Sequence, residues 1–188
     1  MTFTHLHVHS HYSVLDGMSK VSDLVDKCLR TGMHAIALTD HGNMYGIKEL
    51  LDYSKKANSK LKAKAEEKGE PFVPFKPIVG IEAYCARRGR LLQDKDYKVA
   101  NAEGKLQEIL TGIYSNTQFE NENDRFAEAE ATIEWFKRVF GEDYYIEIQR
   151  HKTDKPHADQ NTYQVQKMVN EVLVELAHKY GVKVIATN

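Results

Sequence analysis

Residues 5–17 read HLHVHSHYSVLDG, and histidines alternate with other residues at the start of this stretch. The apolar residues between the histidines favour an extended strand over residues 3–9, in which side chains two apart point to the same face. His7 and His9 are therefore predicted to present two imidazoles to one divalent metal ion, which imidazole binds well. The alternatives are unrelated surface histidines or a tag remnant, although a tag would carry consecutive histidines.

Two neighbours of this pair are further candidates. His5 shares the face of His7 and His9 but lies deeper along the predicted strand, so it is expected to support a ligand by a hydrogen bond, with direct binding of metal as the alternative. Asp16 stands in a turn before Gly17, where an aspartate is usually only a turn residue. Its place one short loop after two candidate ligands predicts a carboxylate ligand instead.

A second motif, Thr39-Asp40-His41-Gly42, directly follows the apolar run of residues 35–39. We predict that His41 is a metal ligand and that Asp40 is a catalytic residue, which orients a ligand or takes a proton. A helix-capping aspartate beside an incidental histidine is the alternative.

Glu82 lies inside the apolar segment 78–84. A carboxylate in an apolar strand is uncommon unless it is paired or metal-bound. A salt bridge to a neighbouring arginine is one explanation, and a carboxylate that spans two metal ions is the one we favour.

The rest of the sequence alternates between strand-like and helix-like segments. Helices are predicted from apolar residues at helical spacing, starting at Ser19 and near Tyr45 and covering 124–140 and 162–180. Strands are predicted over 35–39, 77–85, 144–149 and 182–186, and the lysine-rich stretch 55–76 as a helix end and linker. This alternation indicates an α/β fold with parallel strands, whose chemistry collects at the C-terminal strand ends.

Composition predicts one soluble, cytoplasmic domain over residues 1–188. The net charge of −1 gives no electrostatic argument for nucleic-acid binding by the chain as a whole. Two cysteines are too few for a disulfide framework. No apolar run approaches the ~20 residues of a membrane helix, so no membrane is expected as a partner.

Several segments together resemble one known family, the PHP (polymerase and histidinol phosphatase) domain as found in the bacterial DNA polymerase III alpha subunit. The resemblance covers about half of the chain and rests on residues 5–17, ALTDHGNMYG (37–46), PIVGIEAYCARRGR (77–90), WFKRVFGEDYYIEIQRH (135–151) and YGVKVIATN (180–188).

The resemblance implies a distorted parallel β/α barrel that holds up to three divalent ions such as Zn, Mn or Mg. It also implies which positions bind them: His7, His9, Asp16, His41 and Glu82. The family draws further ligands from a later histidine, a cysteine and an Asp-x-His pair. This sequence has no histidine between His41 and His151 and no cysteine after Cys85, and it stops at Asn188, where the Asp-x-His pair would begin. We therefore expect an incomplete barrel with one or two ions, and a shortened segment at about 91–123.

The function implied is phosphoester hydrolysis of the 3′–5′ exonuclease type within a parent DNA polymerase. The alternative is a non-catalytic module that braces the polymerase and docks a proofreading subunit, and a free-standing small-molecule phosphatase is less favoured. Expected partners are DNA, the remaining polymerase domains and replisome subunits. Arg87 and Arg88 are candidate DNA contacts or solvated loop residues, and His151 is a candidate ligand or substrate contact.

Overall fold

The computed structural model describes residues 3–85, 100–101, 122–152 and 161–187. In chain order the elements are α1 (Val21–Arg30), β1 (Ala35–Leu38), α2 (Ile47–Lys68), β2 (Lys76–Val79), β3 (Tyr84–Cys85), β4 (Ala100–Asn101), α3 (Glu122–Phe140), a 3₁₀ turn (Gly141–Asp143), β5 (Tyr145–Gln149), α4 (Asn161–Tyr180) and β6 (Lys183–Thr187). They divide into two compact units, Met1–Ala83 and Tyr84–Asn188. None of the helices in the described ranges combines the length and apolar composition needed to cross a bilayer.

The first unit is built on the parallel pair β1–β2, in which Ala35 lies opposite Lys76 and Leu38 opposite Val79. Helices α1 and α2 cover this pair through a shared apolar core. The buried members of that core are Val21, Val25, Cys28, Ile36, Leu38, Leu50, Ala57 and Phe75. Three of them recur on α1 at the spacing of one helix face, which is why this segment folds as an amphipathic helix.

The second unit is built on the parallel pair β5–β6, with Tyr145 opposite Lys183 and Gln149 opposite Thr187. Its core combines α3, α4 and the two strands, and its buried members are Ala129, Ile133, Ile146, Val169, Leu173, Leu176, Ala177 and Val182. Full burial of each larger apolar side chain contributes ~1.5–3 kcal/mol, so this core supplies a large favourable term in the folding of the unit. The pair β3–β4 is antiparallel.

The predicted mixture of helices with parallel strand pairs is confirmed, whereas the barrel is not. Within the described residues the strands form three separate two-stranded sheets, and none of these sheets closes. The single domain over 1–188 stays a prediction, and its shortened segment at 91–123 lies almost wholly outside the described residues.

The helix end and linker predicted over residues 55–76 are confirmed, since α2 ends at Lys68 and residues 69–75 lie in neither a helix nor a strand. Two strands predicted from the sequence were wrong in their extent. Residues 3–9 do not form a regular strand, because only His5 bridges to Ile36, while the N–H of Val8 binds the hydroxyl of Thr39 at 2.9 Å instead of a backbone carbonyl. The strand expected over 77–85 is interrupted, and Glu82 forms an isolated bridge with His41.

Tyr144 provides a test of the apolar core of the second unit, against which it packs. Its ring stacks on Phe136 at a centroid distance of 5.5 Å, and burial raises the pKa of its phenol from 10.0 to about 12. The folded state thus keeps a proton that the unfolded chain has lost, so folding stability falls as pH rises from about 10 through 12. We expect Tyr144→Phe to weaken this alkaline loss, measured as the free energy of urea unfolding at about pH 8 and about pH 11. The exposed Tyr145→Phe is the control, and equal alkaline losses in wild type and Tyr144→Phe would contradict the assignment.

Candidate metal centre

Four side chains from three segments of the first unit converge on one point. They are His9, Asp16, His41 and Glu82, and one ligand atom from each lies within 4.8 Å of all the others. Glu82 is buried, the two histidines are partly buried, and Asp16 is exposed. The cluster therefore has a buried floor and an open side.

Asp16 joins the two histidines on the open side of the cluster. Its Oδ2 atom lies 3.1 Å from Nδ1 of His9 and 3.0 Å from Nδ1 of His41. A carboxylate that faces two imidazoles in this way supplies both a hydrogen-bond acceptor and a negative charge at their centre.

Glu82 joins the same histidines from the buried side. Its Oε2 atom lies 2.7 Å from Nε2 of His9 and 3.6 Å from Nδ1 of His41. His9 thus faces Glu82 with one ring nitrogen and Asp16 with the other. Both carboxylates hold the orientation of this imidazole.

His7 lies beside the four-residue group. Its Nε2 atom is 3.1 Å from Nε2 of His9 and 3.6 Å from Oε2 of Glu82. The predicted pairing of these two histidines is therefore present in the geometry even though the regular strand that predicted it is absent.

The backbone explains how distant ligands meet. Glu82 and His41 are bridged in parallel, with the N–H of Glu82 bound to the carbonyl of Asp40 at 3.2 Å and the N–H of Gly42 bound to the carbonyl of Glu82 at 2.9 Å. Both candidate ligands thus sit just beyond the paired part of β1–β2, as expected at the C-terminal ends of parallel strands.

Gly17 shapes the loop that carries Asp16. A Cβ atom at position 17 would overlap the backbone carbonyl of Ser10, so the loop can close only around a glycine. The N–H groups of Asp16 and Gly17 both bind the carbonyl of Ser13, at 3.1 and 2.7 Å. This tight turn sets where the Asp16 side chain begins.

The donor atoms fit a divalent ion in chemistry and spacing. Imidazole and carboxylate groups are the ligands of mixed nitrogen and oxygen sites for Zn and related metals. Bonds of ~2.0–2.2 Å in a tetrahedral arrangement place neighbouring donors about 3.3–3.6 Å apart. The separations between donor atoms of neighbouring residues run from 2.7 to 3.6 Å, and one donor atom from each of the four residues lies within 4.8 Å of the others, so a bound ion requires only small side-chain adjustments.

The electrostatics favour an ionised carboxylate at the buried end. Burial by itself raises the pKa of Glu82, but the hydrogen bond with His7 and the positive charges of His9 and His41 outweigh it, so the net pKa lies below its usual value. A carboxylate that stays ionised is the form that binds a metal ion.

The other predicted site residues lie elsewhere. His5 packs its ring edge against Phe3 at a centroid distance of 4.8 Å and lies outside the four-residue group. His151 belongs to the second unit, where Gln166 accepts a hydrogen bond from its N–H at 2.7 Å. Arg87 and Arg88 fall outside the described residues.

Asp40 is buried, and its carboxylate contacts two serines that the sequence did not single out. It accepts hydrogen bonds from the hydroxyl of Ser10 at 2.9 Å and from the hydroxyl of Ser13 at 3.0 Å. Both serines lie between the candidate ligands His9 and Asp16, and this position was the only signal that the sequence offered for them. The sequence does not show that they are buried.

Comparison with known proteins gives a consistent set of relatives. Residues 5–103 match the family model described as PHP domain. The DNA polymerase III subunit alpha of Borreliella burgdorferi is 31% identical over 228 residues, covering 99% of this chain and 18% of the relative. The protein of the same name from Thermus aquaticus is 29% identical over 233 residues, covering 100% and 17%.

These alignments carry two further facts. The chain spans less than a fifth of the length of the two relatives. Each alignment is longer than the 188 residues of the chain, so the relatives contain residues inside the aligned region that this chain lacks. Among solved structures, a histidinol phosphate phosphatase from Lactococcus lactis matches with a TM-score of 0.47 and 12% identity, covering 98% of this chain and 84% of that chain.

Glu82→Gln tests the electrostatics of the cluster. Because the folded-state pKa of Glu82 is lowered, its carboxylate stabilises the fold above the unfolded value near 4.5, and this stability is lost as pH falls through the folded value. In chelator, we expect the variant to lose on the order of 1–3 kcal/mol of unfolding free energy at about pH 6, and less at about pH 3. Urea unfolding measures both values, with the exposed Glu70→Gln as control. If the unfolding free energies of the wild type and Glu82→Gln differ by the same amount at both pH values, the lowered pKa of Glu82 is contradicted.

Proposed function

The chain belongs to the PHP domain family, and we propose from this premise that it is the metal-binding PHP domain of a replicative DNA polymerase. The family match and the relatives make it homologous to the N-terminal region of the DNA polymerase III alpha subunit. In the proposal it binds one or two divalent ions through its five candidate ligands, His7, His9, Asp16, His41 and Glu82.

The observation that carries this proposal is the convergence of four candidate ligands within 4.8 Å of one another. These residues are separated by up to about seventy positions in sequence, so their convergence depends on the fold rather than on a local run of polar residues. His7 extends the group beside His9, which gives enough donors for a second ion.

The chemistry proposed is hydrolysis of a phosphoester by water. A bound divalent ion would supply positive charge for the phosphate oxygens and would acidify the attacking water. The chain's own part is to hold the ligand side chains in place and to keep the carboxylate of Glu82 ionised. Glu82 supplies a carboxylate whose lowered pKa favours the ionised form, and Asp16 leaves the open side accessible to a substrate.

In the parent protein we propose that this site acts on DNA as a 3′–5′ exonuclease, with the other polymerase domains and replisome subunits as partners. The names of the relatives favour a polymerase over a free-standing phosphatase. The proposal takes residues 1–188 as one PHP domain and its fold as an incomplete parallel β/α barrel. The gaps in the alignments support a segment shorter than in the relatives, which we place at about 91–123.

One observation favours a second candidate function. The sequence has no histidine between His41 and His151 and no cysteine after Cys85, so the later histidine and cysteine ligands that the resemblance implies have no counterpart in these stretches. A module with too few ligands for a full cluster would serve to brace the polymerase and dock a proofreading subunit. Metal would then stabilise the fold rather than catalyse a reaction.

Metal binding is expected to stabilise the chain. An ion present at a hundredfold excess over its dissociation constant favours the folded state by ~2.7 kcal/mol. We expect one or two Zn or Mn ions per chain by elemental analysis, and a chelator should lower the melting temperature.

His9→Ala should lose both the metal and the response to chelator, because His9 contacts both carboxylates. The matched control is His34→Ala, which removes an exposed histidine of the same unit outside the cluster. An identical melting curve of the wild type with and without chelator would contradict the proposal.

Nuclease activity of this chain alone is expected to be weak or absent. Multi-metal hydrolysis needs ions held accurately, and a small misplacement costs ~100-fold in rate. The assay is the release of labelled 3′ nucleotides from single-stranded and mismatched primer ends with added Mn or Zn.

The same assay is run beside Asp16→Ala and His41→Ala. Robust release by the wild type that either substitution abolishes would show that the early ligands suffice and that the chain is an active nuclease. Release that persists in both variants would point to a contaminating enzyme.

A further inference from the structure

The carboxylate of Asp40 is one of the most buried polar groups in the first unit, with 1% of the residue exposed. Its Oδ1 atom accepts the backbone N–H of Ser10 at 2.7 Å and the hydroxyl of Ser13 at 3.0 Å. Its Oδ2 atom accepts the hydroxyl of Ser10 at 2.9 Å. A buried charge is costly, and these short hydrogen bonds offset that cost.

Ser13 connects this carboxylate to two candidate metal ligands. Its hydroxyl donates to Asp40 and accepts the backbone N–H of His41 at 2.9 Å. Its carbonyl accepts the N–H of Asp16 at 3.1 Å. Ser13 is 2% exposed, so water does not compete for these bonds.

The two residues that Ser13 holds are themselves in contact. Nδ1 of His41 lies 3.0 Å from Oδ2 of Asp16, although 25 positions separate the two residues in sequence. Ser13 fixes the backbone on both sides of this contact, and Asp40 fixes the rotation of the Ser13 hydroxyl by accepting a hydrogen bond from it.

We propose that Ser13, held by Asp40, is a positioning residue that places His41 and Asp16 at ligand distance before a metal ion binds. The proposal rests on the metal-binding function proposed above. It assigns Asp40 to orientation and not to proton transfer, because both carboxylate oxygens face the serines. A preorganised ligand pair binds an ion more tightly, because less ordering remains to be done on binding.

Three variants of the full chain separate the roles. Ser13→Ala removes both hydroxyl bonds. Asp40→Asn keeps an oxygen acceptor for Ser13 and Ser10 but removes the group that could take a proton. Asn58→Ala is the matched control for stability, because Asn58 makes two hydrogen bonds to the backbone of Phe75, at 2.7 and 2.9 Å, in the same unit and outside the cluster.

The first readout needs no metal. In chelator at constant pH, the imidazole nitrogen signals of His41 in NMR spectra report its contact with Asp16. We expect Ser13→Ala to shift these signals, while Asp40→Asn and Asn58→Ala leave them close to those of the wild type. Unchanged His41 signals in folded Ser13→Ala would overturn the proposal.

The second readout is titration with Co²⁺, followed by its visible absorption. Loss of a group that supports metal ligands typically costs 10–100-fold in metal affinity, and we expect a loss of this size for Ser13→Ala. Asp40→Asn and Asn58→Ala should stay within about threefold of the wild type. A tenfold or greater loss in Asp40→Asn would overturn the orienting role, and this variant tests that role even if Ser13→Ala does not fold.

The two readouts also separate this proposal from the function on which it rests. A wild type that does not bind Co²⁺, Zn or Mn would overturn the proposed metal binding, while the His41 signals would still decide whether Ser13 positions the pair. Metal binding by the wild type together with equal affinities in all three variants would overturn the positioning role alone.

Discussion

The buried carboxylate of Asp40 accepts hydrogen bonds from Ser10 and Ser13, which lie 30 and 27 positions earlier in the chain. It therefore ties the histidine-rich segment to the end of β1. Together with the bridge between His5 and Ile36 and the hydrogen bonds between Val8 and Thr39, this tie sets the distance from His9 and Asp16 to His41. The candidate metal centre thus depends on a charged group that contributes none of its four converging donors.

The candidate ligands could be predicted from the sequence because each is a polar or charged residue in or beside an apolar segment, where such residues are uncommon. Alternating histidines in an apolar segment and a carboxylate at position 82 stand out without any structure. Ser13 did not stand out, since its importance comes from burial and from two long-range bonds. The regular strand expected over residues 3–9 failed for a related reason: the hydroxyl of Thr39 replaces a backbone partner, and sequence spacing does not reveal such a replacement.

The second unit followed its sequence more closely. Both of its long helices, α3 and α4, were predicted to within two residues at each end, because their apolar faces repeat at helical spacing. Pairing between strands is a different problem, since it joins segments far apart in the chain. The β5–β6 register could not be read from either strand alone, and closure of a barrel requires several such pairings at once.

Gly17 shows that sensitivity to substitution in this region has more than one source. Any side chain at this position meets the carbonyl of Ser10, so even alanine would force the loop open. A survey of all single substitutions should rank Gly17 beside the metal-ligand candidates, although glycine offers an ion no side-chain donor. Such a survey would map the shape of the loop together with its chemistry. The effect of loop shape and the effect of ligand chemistry are separated only by substitutions that keep the size of a side chain and change its donor atom.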